Sequence, residues 1–277
     1  RPAPFRTWRH NLRAMNTQMR TAVITGAAQG LGRVTAETLA EAGFAVMLLD
    51  LQPLDAIVTE LRAKGHTAHG LSGDIADEAF VQQAAAEVAL TMGSAEVLVN
   101  NAGISQIIPA EQLTAAQWRR VMDVNLLGPF LLCREFGRQM LAKGRGSIIN
   151  VASVAGLGAV AHRSAYNASK HGLIGLTRTL AAEWGGRGVR VNAVCPGWIK
   201  TEMDVADQGS GNYSDADIID RVPMARFAYP GDVAAALNFL ASEHSAFING
   251  VSLPVDGGWS SDLGWESLRR RTRHPGS

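Results

Sequence analysis

Short apolar runs alternate with longer amphipathic stretches along most of this chain. The apolar runs are short and bounded by turn residues, so they predict β-strands. We expect strands over Ala22–Thr25, Phe44–Leu49, Thr67–Leu71, Glu96–Val99, Ser147–Val151, Val189–Val194 and Val251–Val255. The stretches between them predict helices over Arg33–Ala42, Leu54–Lys64, Glu78–Met92, Ala115–Leu141, Tyr166–Trp184 and Asp232–Leu240.

The predicted strands are apolar on both faces, which is typical of a parallel sheet covered by helices on each side. Repeated strand–helix units with right-handed crossovers build a doubly wound sheet. We therefore predict a three-layer α/β/α fold of the Rossmann-like kind. No linker, repeat or low-complexity segment occurs inside 20–260, so this range is expected to be one domain, with Thr201–Arg221 as its most polar interruption.

The two ends of the chain differ from the middle in charge. Residues 1–19 are rich in arginine and hold no acid. A mitochondrial leader has that composition, and so does a disordered leader ahead of a start at Met15 or Met19, which is the interpretation we favour. Residues 261–277 form a tail with Arg269, Arg270, Arg271 and Arg273. A short basic run without a binding fold is expected to be solvated.

Composition narrows the function classes. The formal net charge is +1 for 277 residues, so no overall field favours nucleic acid or an acidic membrane. No stretch approaches a membrane span. Cys133 and Cys195 cannot form a disulfide framework, and we expect two buried thiols in a reducing, cytoplasmic setting. The expected partner is a small-molecule substrate, and no metal ion is predicted.

A glycine-rich turn follows the first predicted strand and opens the first helix. It reads Thr25-Gly26-Ala27-Ala28-Gln29-Gly30-Leu31-Gly32. Glycines let the backbone approach a ligand closely, and a helix N-terminus offers N–H groups to a pyrophosphate. The spacing differs from the standard dinucleotide fingerprint, yet its position between strand and helix favours a dinucleotide site over a simple turn.

Asp50 ends the second predicted strand, 18 residues after Gly32. A carboxylate there can accept hydrogen bonds from ribose hydroxyls and would repel a 2′-phosphate. Gln29 and Leu51 supply no neighbouring cation, and Arg33 is the open question because it begins the helix nearby. We therefore expect NAD as cofactor, with NADP the less favoured alternative.

Tyr166 and Lys170 are four residues apart on a predicted helix and share one face. Ser153 lies just past the fifth strand, 13 residues before Tyr166. Ligands of an open α/β sheet bind beyond the carboxyl ends of strands. The segments Asn100–Gly103 and Pro196-Gly197 follow two other strands in the same way, so these groups are expected to meet in one crevice.

Together these motifs resemble the short-chain dehydrogenase/reductase family, single-domain type. The matching residues are Thr25-Gly26-x3-Gly30-x-Gly32, Asp74, Asn100-Asn101-Ala102-Gly103, Asn125, Ser153, Tyr166-x3-Lys170, Pro196-Gly197 and Asp256-Gly257-Gly258. They cover roughly Arg20 to Ser260 in the family's order. Ala152 stands where many members have a second serine, and both terminal extensions fall outside the pattern.

The resemblance implies a catalytic tetrad. Tyr166 would be the general acid/base, Ser153 would hydrogen-bond the substrate oxygen, and Asn125 would hold a water that relays the proton. Lys170 would hold the nicotinamide ribose. An ammonium about 5 Å from the phenol favours the phenolate by roughly 3 kcal/mol, or about two pKa units. Asn125 has a plainer alternative as a helix residue bonded to its own backbone.

The resemblance also implies a set of cofactor contacts. They are Gly26, Gln29, Gly30, Leu31, Gly32, Asp50, Asp74, Ile75, Asn101, Ala102, Gly103, Tyr166, Lys170, Pro196, Gly197, Ile199 and Thr201. Asp74 has a competing interpretation as a helix N-cap. Near the reacting carbon we expect Gln106, Val154, His162, Trp198 and Met203.

We expect hydride transfer between NAD and a secondary alcohol or ketone, with a small polar alcohol, polyol or sugar as substrate. The alternative in this class is a 3-oxoacyl thioester reductase. A non-catalytic NAD-binding regulator on the same fold is the alternative in another class. The long helices Ala115–Leu141 and Tyr166–Trp184 carry more apolar surface than one sheet face can bury, and the family pairs them between subunits. A homotetramer or homodimer is therefore expected.

Overall fold

The structure is a computed structural model, and it describes residues 19–209, 213–264 and 269. The strands are β1 (Thr21–Thr25), β2 (Ala45–Asp50), β3 (Ala68–Ser72), β4 (Val97–Asn100), β5 (Gly146–Val151), β6 (Val189–Pro196) and β7 (Ser252–Val255). The helices are α1 (Gly30–Glu41), α2 (Asp55–Ala63), α3 (Glu78–Thr91), α4 (Ala115–Met122), α5 (Gly128–Lys143), α6 (Ser164–Trp184), α7 (Glu202–Gln208), α8 (Asp215–Arg221) and α9 (Pro230–Ala241).

The strands form one parallel sheet in the order β3-β2-β1-β4-β5-β6-β7. The chain moves outward from β1 to β3 and then crosses back, so β1 and β4 are neighbours although two strands separate them in sequence. Their loops diverge above this point and leave a crevice at the carboxyl edge. The doubly wound sheet predicted from the sequence is confirmed.

Apolar residues fill both spaces between the sheet and its helices. On one face α1, α2 and α9 pack against the sheet, with Leu39, Ile57 and Leu237 fully or almost fully buried. On the other face α3, α5 and α6 do so, through residues such as Phe136 and Leu132. The three-layer α/β/α architecture follows from this division of the core.

The predicted helix Ala115–Leu141 is three pieces. After α4 the chain makes a π-helical turn over Asp123–Leu127, and α5 continues from Gly128. Pro129 contributes here because it lacks an N–H group and cannot complete the regular hydrogen-bond ladder. The apolar periodicity runs through the break, which is why the pattern predicted one helix. A π-turn in this place often marks a functional site, and it carries Asn125.

The outer edge of the sheet at β7 holds Pro254, whose side chain is exposed. Pro254 pairs in register with Cys195 of β6. Both cysteine thiols are buried, as expected, and burial raises the pKa of Cys133 to about 12 and that of Cys195 to about 11.

The ends of the chain are described only in part. Residues 1–18 and most of 265–277 lie outside the described residues, so the leader and tail stay predictions. Arg269 is described, and its Nη2 donates to the backbone oxygen of Asp220 at 2.7 Å. This arginine therefore packs on α8. Within the described residues, none of the helices has the length and apolar character that a membrane crossing requires.

Candidate active site

A cavity of about 610 Å³ lies at the carboxyl edge of the sheet, over the β1–β4 crevice. Its size falls in the range of small-molecule and cofactor sites. The predicted cofactor residues that line it are Gly26, Gln29, Gly30, Leu31, Asp50, Asp74, Ile75, Asn101, Ala102, Gly103, Tyr166, Lys170, Pro196, Gly197, Ile199 and Thr201. Gly32, the remaining member of that set, is buried beneath the turn.

The glycine-rich turn suits a pyrophosphate. Gly26 and Gly30 have φ values of +65° and +55°, which side-chain-bearing residues rarely adopt. A Cβ atom on Gly32 would lie 1.9 Å from the Gly26 carbonyl oxygen, so this glycine lets α1 start directly behind the turn. Gln29 makes no side-chain cap, and the first turn of α1 holds no acid. The N-terminus of α1 faces the cavity. The Glu202 carboxylate lies beside it, because a Cβ atom on Gly30 would be 3.2 Å from Glu202 Oε2.

Thr25 and Asn101 fasten the two loops of the crevice to each other. Thr25 Oγ1 accepts from the backbone N–H groups of Asn101 and Ala102, each at 3.0 Å. The Asn101 amide donates to the carbonyl oxygen of Thr25 at 2.9 Å. The Asn101 amide is therefore used in hydrogen bonds within the protein. The backbone of Asn101 and that of Gly103 are left to contact a cofactor.

Asp50 is held at the rim by the backbone. Its Oδ2 accepts from the N–H of Ala28 at 2.8 Å, and its Oδ1 accepts from that of Gln52 at 2.9 Å. Each carboxylate oxygen keeps a lone pair for a ribose hydroxyl. Arg33 turns away from this carboxylate, because its guanidinium pairs with Glu37 and Glu60.

Asp74 lines the cavity and does not cap α3. The N-cap of α3 is Asp77, whose side chain accepts from the N–H of Ala79 at 3.0 Å. Asp74 instead accepts from Arg120 Nη1 at 2.8 Å, and both residues line the cavity beside Ile75. The N-cap interpretation of Asp74 is therefore wrong.

Tyr166, Ser153 and Lys170 converge on the middle of the cavity. The Tyr166 and Ser153 side chains both line the cavity, at the start of α6 and at the end of β5. Ser153 Oγ accepts from the N–H of Ala155 at 3.1 Å, which orients the hydroxyl at the end of β5. Lys170 Nζ lies 5.5 Å from the Tyr166 ring centre and donates to the Val151 carbonyl oxygen at 2.8 Å.

In the protein without cofactor, the pKa of the Tyr166 phenol is raised. This is opposite to the direction expected from Lys170. Burial is the main cause; the hydrogen bond with Ser153 and then the Arg163 guanidinium lower the pKa, and the Asp207 carboxylate raises it. Burial also lowers the pKa of Lys170 to about 8. The expectation from a solvated ion pair omitted the desolvation of both groups, which disfavours their charged forms.

Asn125 is fully buried in the π-turn. Its amide donates to the Ile104 carbonyl at 2.9 Å and to Ser169 Oγ at 3.1 Å, while its Oδ1 accepts from the Ile104 N–H at 2.9 Å. The side chain thus bonds to a neighbouring loop and to α6, not to its own helix. A Cβ atom on Gly103 would lie 3.3 Å from Asn125 Oδ1 and 3.5 Å from Lys170 Nζ, so these two side chains meet behind that glycine.

Comparison with known proteins matches this arrangement to one family. A family model described as enoyl-(acyl carrier protein) reductase matches residues 26–260. D-threitol dehydrogenase of Mycolicibacterium smegmatis is 41% identical over 87% of this chain and 93% of its own length. Galactitol 2-dehydrogenase of Rhizobium johnstonii is 42% identical over 86% of this chain and 94% of its own. The chain belongs to the short-chain dehydrogenase/reductase family.

A solved member of the family has the same architecture. The gluconate 5-dehydrogenase of Burkholderia cenocepacia, in complex with NADP and tartrate, is 33% identical with a TM-score of 0.83. The match covers 88% of this chain and 96% of that one. This short-chain dehydrogenase/reductase is therefore an NAD(P)-dependent oxidoreductase that transfers hydride between the cofactor and a secondary alcohol or ketone.

Beyond Tyr166 the cavity continues into a chamber between the β4, β5 and β6 loops and α7, which we call the substrate chamber. Its described lining includes Ser105, Val154, Arg163, Trp198, Asp204, Asp207 and Tyr213. Trp198 stacks on Trp259 with ring centres 4.5 Å apart and meets Tyr213 edge-on at 6.5 Å. These aromatic contacts fix one wall of the chamber.

The substrate residues expected from the sequence fall into three groups. Val154 and Trp198 line the chamber. Gln106 and His162 do not line it; His162 is exposed, and its positive φ of 60° turns the chain just before α6. Met203 belongs to α7, and its side chain lies outside the described residues.

Five chamber residues escaped the sequence interpretation: Ser105, Arg163, Asp204, Asp207 and Tyr213. A signal for Arg163 was present, since it stands three residues before Tyr166, one helical turn away. Asp207 and Tyr213 come from the polar segment Thr201–Arg221, which carries no spacing that indicates which side chains turn inward. Packing of α7 and α8 alone places them.

Proposed function

We propose that this short-chain dehydrogenase/reductase oxidises a secondary alcohol of a polyol or sugar alcohol with NAD, using Tyr166, Ser153, Lys170 and Asn125. The observation that carries the proposal is the convergence of Tyr166, Ser153 and Lys170 on one cavity, next to the glycine-rich turn. The polyols named for the threitol and galactitol relatives support the substrate class.

The proton steps fall to residues of this chain. In oxidation, Tyr166 as phenolate takes the proton of the substrate hydroxyl, and in reduction the phenol returns it. Ser153 donates a hydrogen bond to the same substrate oxygen and stabilises the charge that develops there. The nicotinamide, when bound, accepts or supplies the hydride.

Lys170 and Asn125 support Tyr166 from behind. Lys170 is almost fully buried, so a positive charge on it acts through a low-dielectric interior with little screening. Its Nζ and the Asn125 side chain approach each other at Gly103, where a water held between them would connect the phenol to solvent. This role for Asn125 agrees with its use of the amide to brace the Ile104 loop.

We propose NAD as the preferred cofactor. The Asp50 carboxylate lines the cavity and bonds to two backbone N–H groups, so it is held where a 2′-phosphate would meet it. Arg33, the nearby cation in the sequence, is bound to two glutamates instead. The gluconate 5-dehydrogenase structure holds NADP, so the preference depends on residues at this rim and has to be measured.

We further propose that the enzyme is a homodimer or homotetramer assembled through its helices. An open, mostly apolar groove runs between the π-turn, α5 and α6, lined by Met122, Asp123, Leu126, Leu127, Phe130, Gly172 and Leu176. Leu127 and Phe130 are each 41% exposed. Apolar side chains gathered in this way favour contact with a second copy of the same surface.

The test is a substrate panel with both cofactors. D-threitol, galactitol, cyclohexanol and a 3-oxoacyl thioester are each assayed with NAD(H) and NADP(H). The proposal expects the highest kcat/KM for a polyol with NAD. The family model's acyl-carrier-protein description makes the thioester the necessary comparison. Highest efficiency with the thioester, or no turnover of any alcohol, would contradict the proposal; the second result favours a regulator.

A further inference from the structure

A buried ion pair closes the substrate chamber beside the reacting group. Arg163 Nη2 donates to Asp207 Oδ2 at 2.7 Å, and the two side chains are only 10% and 16% exposed. Arg163 Nη1 donates to Ser105 Oγ at 2.6 Å. The guanidinium carbon lies 6.0 Å from the Tyr166 ring centre. The ion pair therefore lies beside the Tyr166 ring in the same cavity.

The remaining charges of the chamber are mostly negative. Among its described lining residues, Asp204 and Asp207 are acids and Arg163 is the cation, while Lys170 lies at the Tyr166 end of the chamber. Lys170 faces Tyr166 and donates to a backbone carbonyl. The Arg163 guanidinium is thus the positive group that could meet a distal substrate group, and Asp207 already neutralises it.

The chamber also offers acceptors for hydroxyl groups. Asp204 is 5% exposed, and its carboxylate accepts from Tyr213 Oη at 3.0 Å and pairs with Lys200 Nζ at 3.1 Å. Carboxylate oxygens bind hydroxyl donors well, because hydrogen bonds to a charged group are strong. A carboxylate on the substrate would instead find both cations of this wall already paired, Lys200 with Asp204 and Arg163 with Asp207, so its loss of hydration would not be compensated.

We propose that the Arg163–Asp207 pair sets the charge class of the substrate: it restricts the chamber to uncharged polyhydroxy alcohols, and loss of the Asp207 charge admits carboxylated sugars. This inference deepens the proposed function and rests on it. In the wild-type chain Asp207 occupies the guanidinium that would otherwise bind an aldonate. Asp207 is a specificity-determining residue in this account and takes no part in the proton transfer.

The competing role for the pair is a clamp that only holds α7 against the start of α6. A clamp and a charge filter differ in what they change. Weakening a clamp would lower the efficiency toward every substrate by a similar factor. Altering a charge filter changes the ratio between a charged and an uncharged substrate, and removing opposite charges moves that ratio in opposite directions.

The experiment measures kcat/KM for galactitol and for D-galactonate, a pair of the same configuration that differ by one carboxylate. Asp207→Asn is isosteric and keeps an acceptor for Arg163 while it removes the charge. The galactonate-to-galactitol ratio should be low in the wild type and rise about tenfold or more in Asp207→Asn, equivalent to about 1.4 kcal/mol. In Arg163→Gln the ratio should fall, because Asp207 is then left without its guanidinium.

Glu87→Gln is the matched control. Glu87 is exposed on α3 and outside the cavity lining, so the same loss of one negative charge there should leave the ratio unchanged. Melting temperatures of all variants show whether each is folded. Dissociation constants of the two compounds in the presence of NADH, which cannot accept a hydride, compare their binding without turnover, so the inference is testable even where the proposed function fails.

An unchanged ratio in Asp207→Asn would overturn the inference, and so would a parallel loss for both compounds in both variants. A wild type that already prefers galactonate would overturn it as well, while leaving the proposed NAD-dependent alcohol oxidation intact. Failure of the proposed function has a different signature, namely wild-type turnover of neither compound nor of any other alcohol.

Discussion

At the scale of single residues, Tyr166 is the group whose chemistry can be isolated most cleanly. Tyr166→Phe keeps the ring and removes the hydroxyl, so it should lower kcat by about 10²–10⁴-fold, the usual contribution of a general acid/base. NAD affinity should stay nearly intact because the loop contacts remain. Steady-state kinetics together with NAD titration measure both. More than about a tenth of wild-type activity in this variant would show that the proton goes elsewhere.

The raised pKa of Tyr166 provides a second test of the role of this residue. Oxidation needs the phenolate, whose population grows as pH rises toward the raised pKa. The kcat/KM for alcohol oxidation should therefore increase from about pH 6 to pH 9, and ketone reduction should show the opposite trend. A pH profile of both directions checks this. A kcat/KM for oxidation that does not change across that pH range would mean that the bound cofactor has already brought the pKa of Tyr166 well below neutrality.

Asp50 is the residue at which cofactor choice can be tested. Asp50→Ala removes both the acceptor for ribose hydroxyls and the charge that repels a 2′-phosphate. Losing charge-assisted hydrogen bonds worth roughly 1.5–3 kcal/mol should weaken NAD by about ten- to a hundredfold, and NADP should become usable. The ratio of kcat/KM for the two cofactors in wild type and variant measures the switch. A wild type that prefers NADP would refute this account of Asp50.

At the scale of elements, the strand-to-helix junction tolerates little. In Gly32→Ala the new methyl carbon would lie 1.9 Å from the Gly26 carbonyl oxygen, and neither can move away easily because Gly32 lies in α1 and Gly26 directly follows β1. We expect NAD binding to be lost and the melting temperature to drop. Gly231→Ala is the control, because that glycine lies in the first turn of α9 with no atom within 4 Å of the added methyl. Wild-type NAD affinity in Gly32→Ala would mean that the junction can relax.

The elements also show what the sequence could and could not predict. The residues at the strand ends could be predicted to share one site. Parallel strands end at the same edge of the sheet, so Ser153, Asp50 and the glycine-rich turn come together there regardless of the residues between them in sequence. The break after α4 could not be predicted, since the apolar periodicity continues through Asp123–Leu127. The wall of the chamber formed by α7 could not be predicted either. Which of its polar side chains turn inward depends on partners such as Arg163, which lie far away in the sequence.

At the scale of the whole molecule, the groove beside α5 and α6 predicts a molecular mass in solution above that of one chain. Light scattering at micromolar concentration should give a multiple of the 29.5 kDa chain. Phe130→Glu places a charge on the groove and should shift the population toward the monomer. Leu90→Glu is the control, because Leu90 is 84% exposed on α3 and does not line the groove. A monomeric wild type would remove the proposed assembly altogether.

Pro254 has a bearing on how copies of this protein avoid one another. A parallel sheet with an open edge is a template for further strands, and uncontrolled growth there leads to aggregation. Proline offers no N–H group, so a foreign strand laid along β7 would find its ladder interrupted midway. This edge is therefore protected against pairing, and the assembly proposed through α5 and α6 does not use it. Replacing Pro254 with valine would restore the donor, and with it the risk that destabilised molecules join edge to edge.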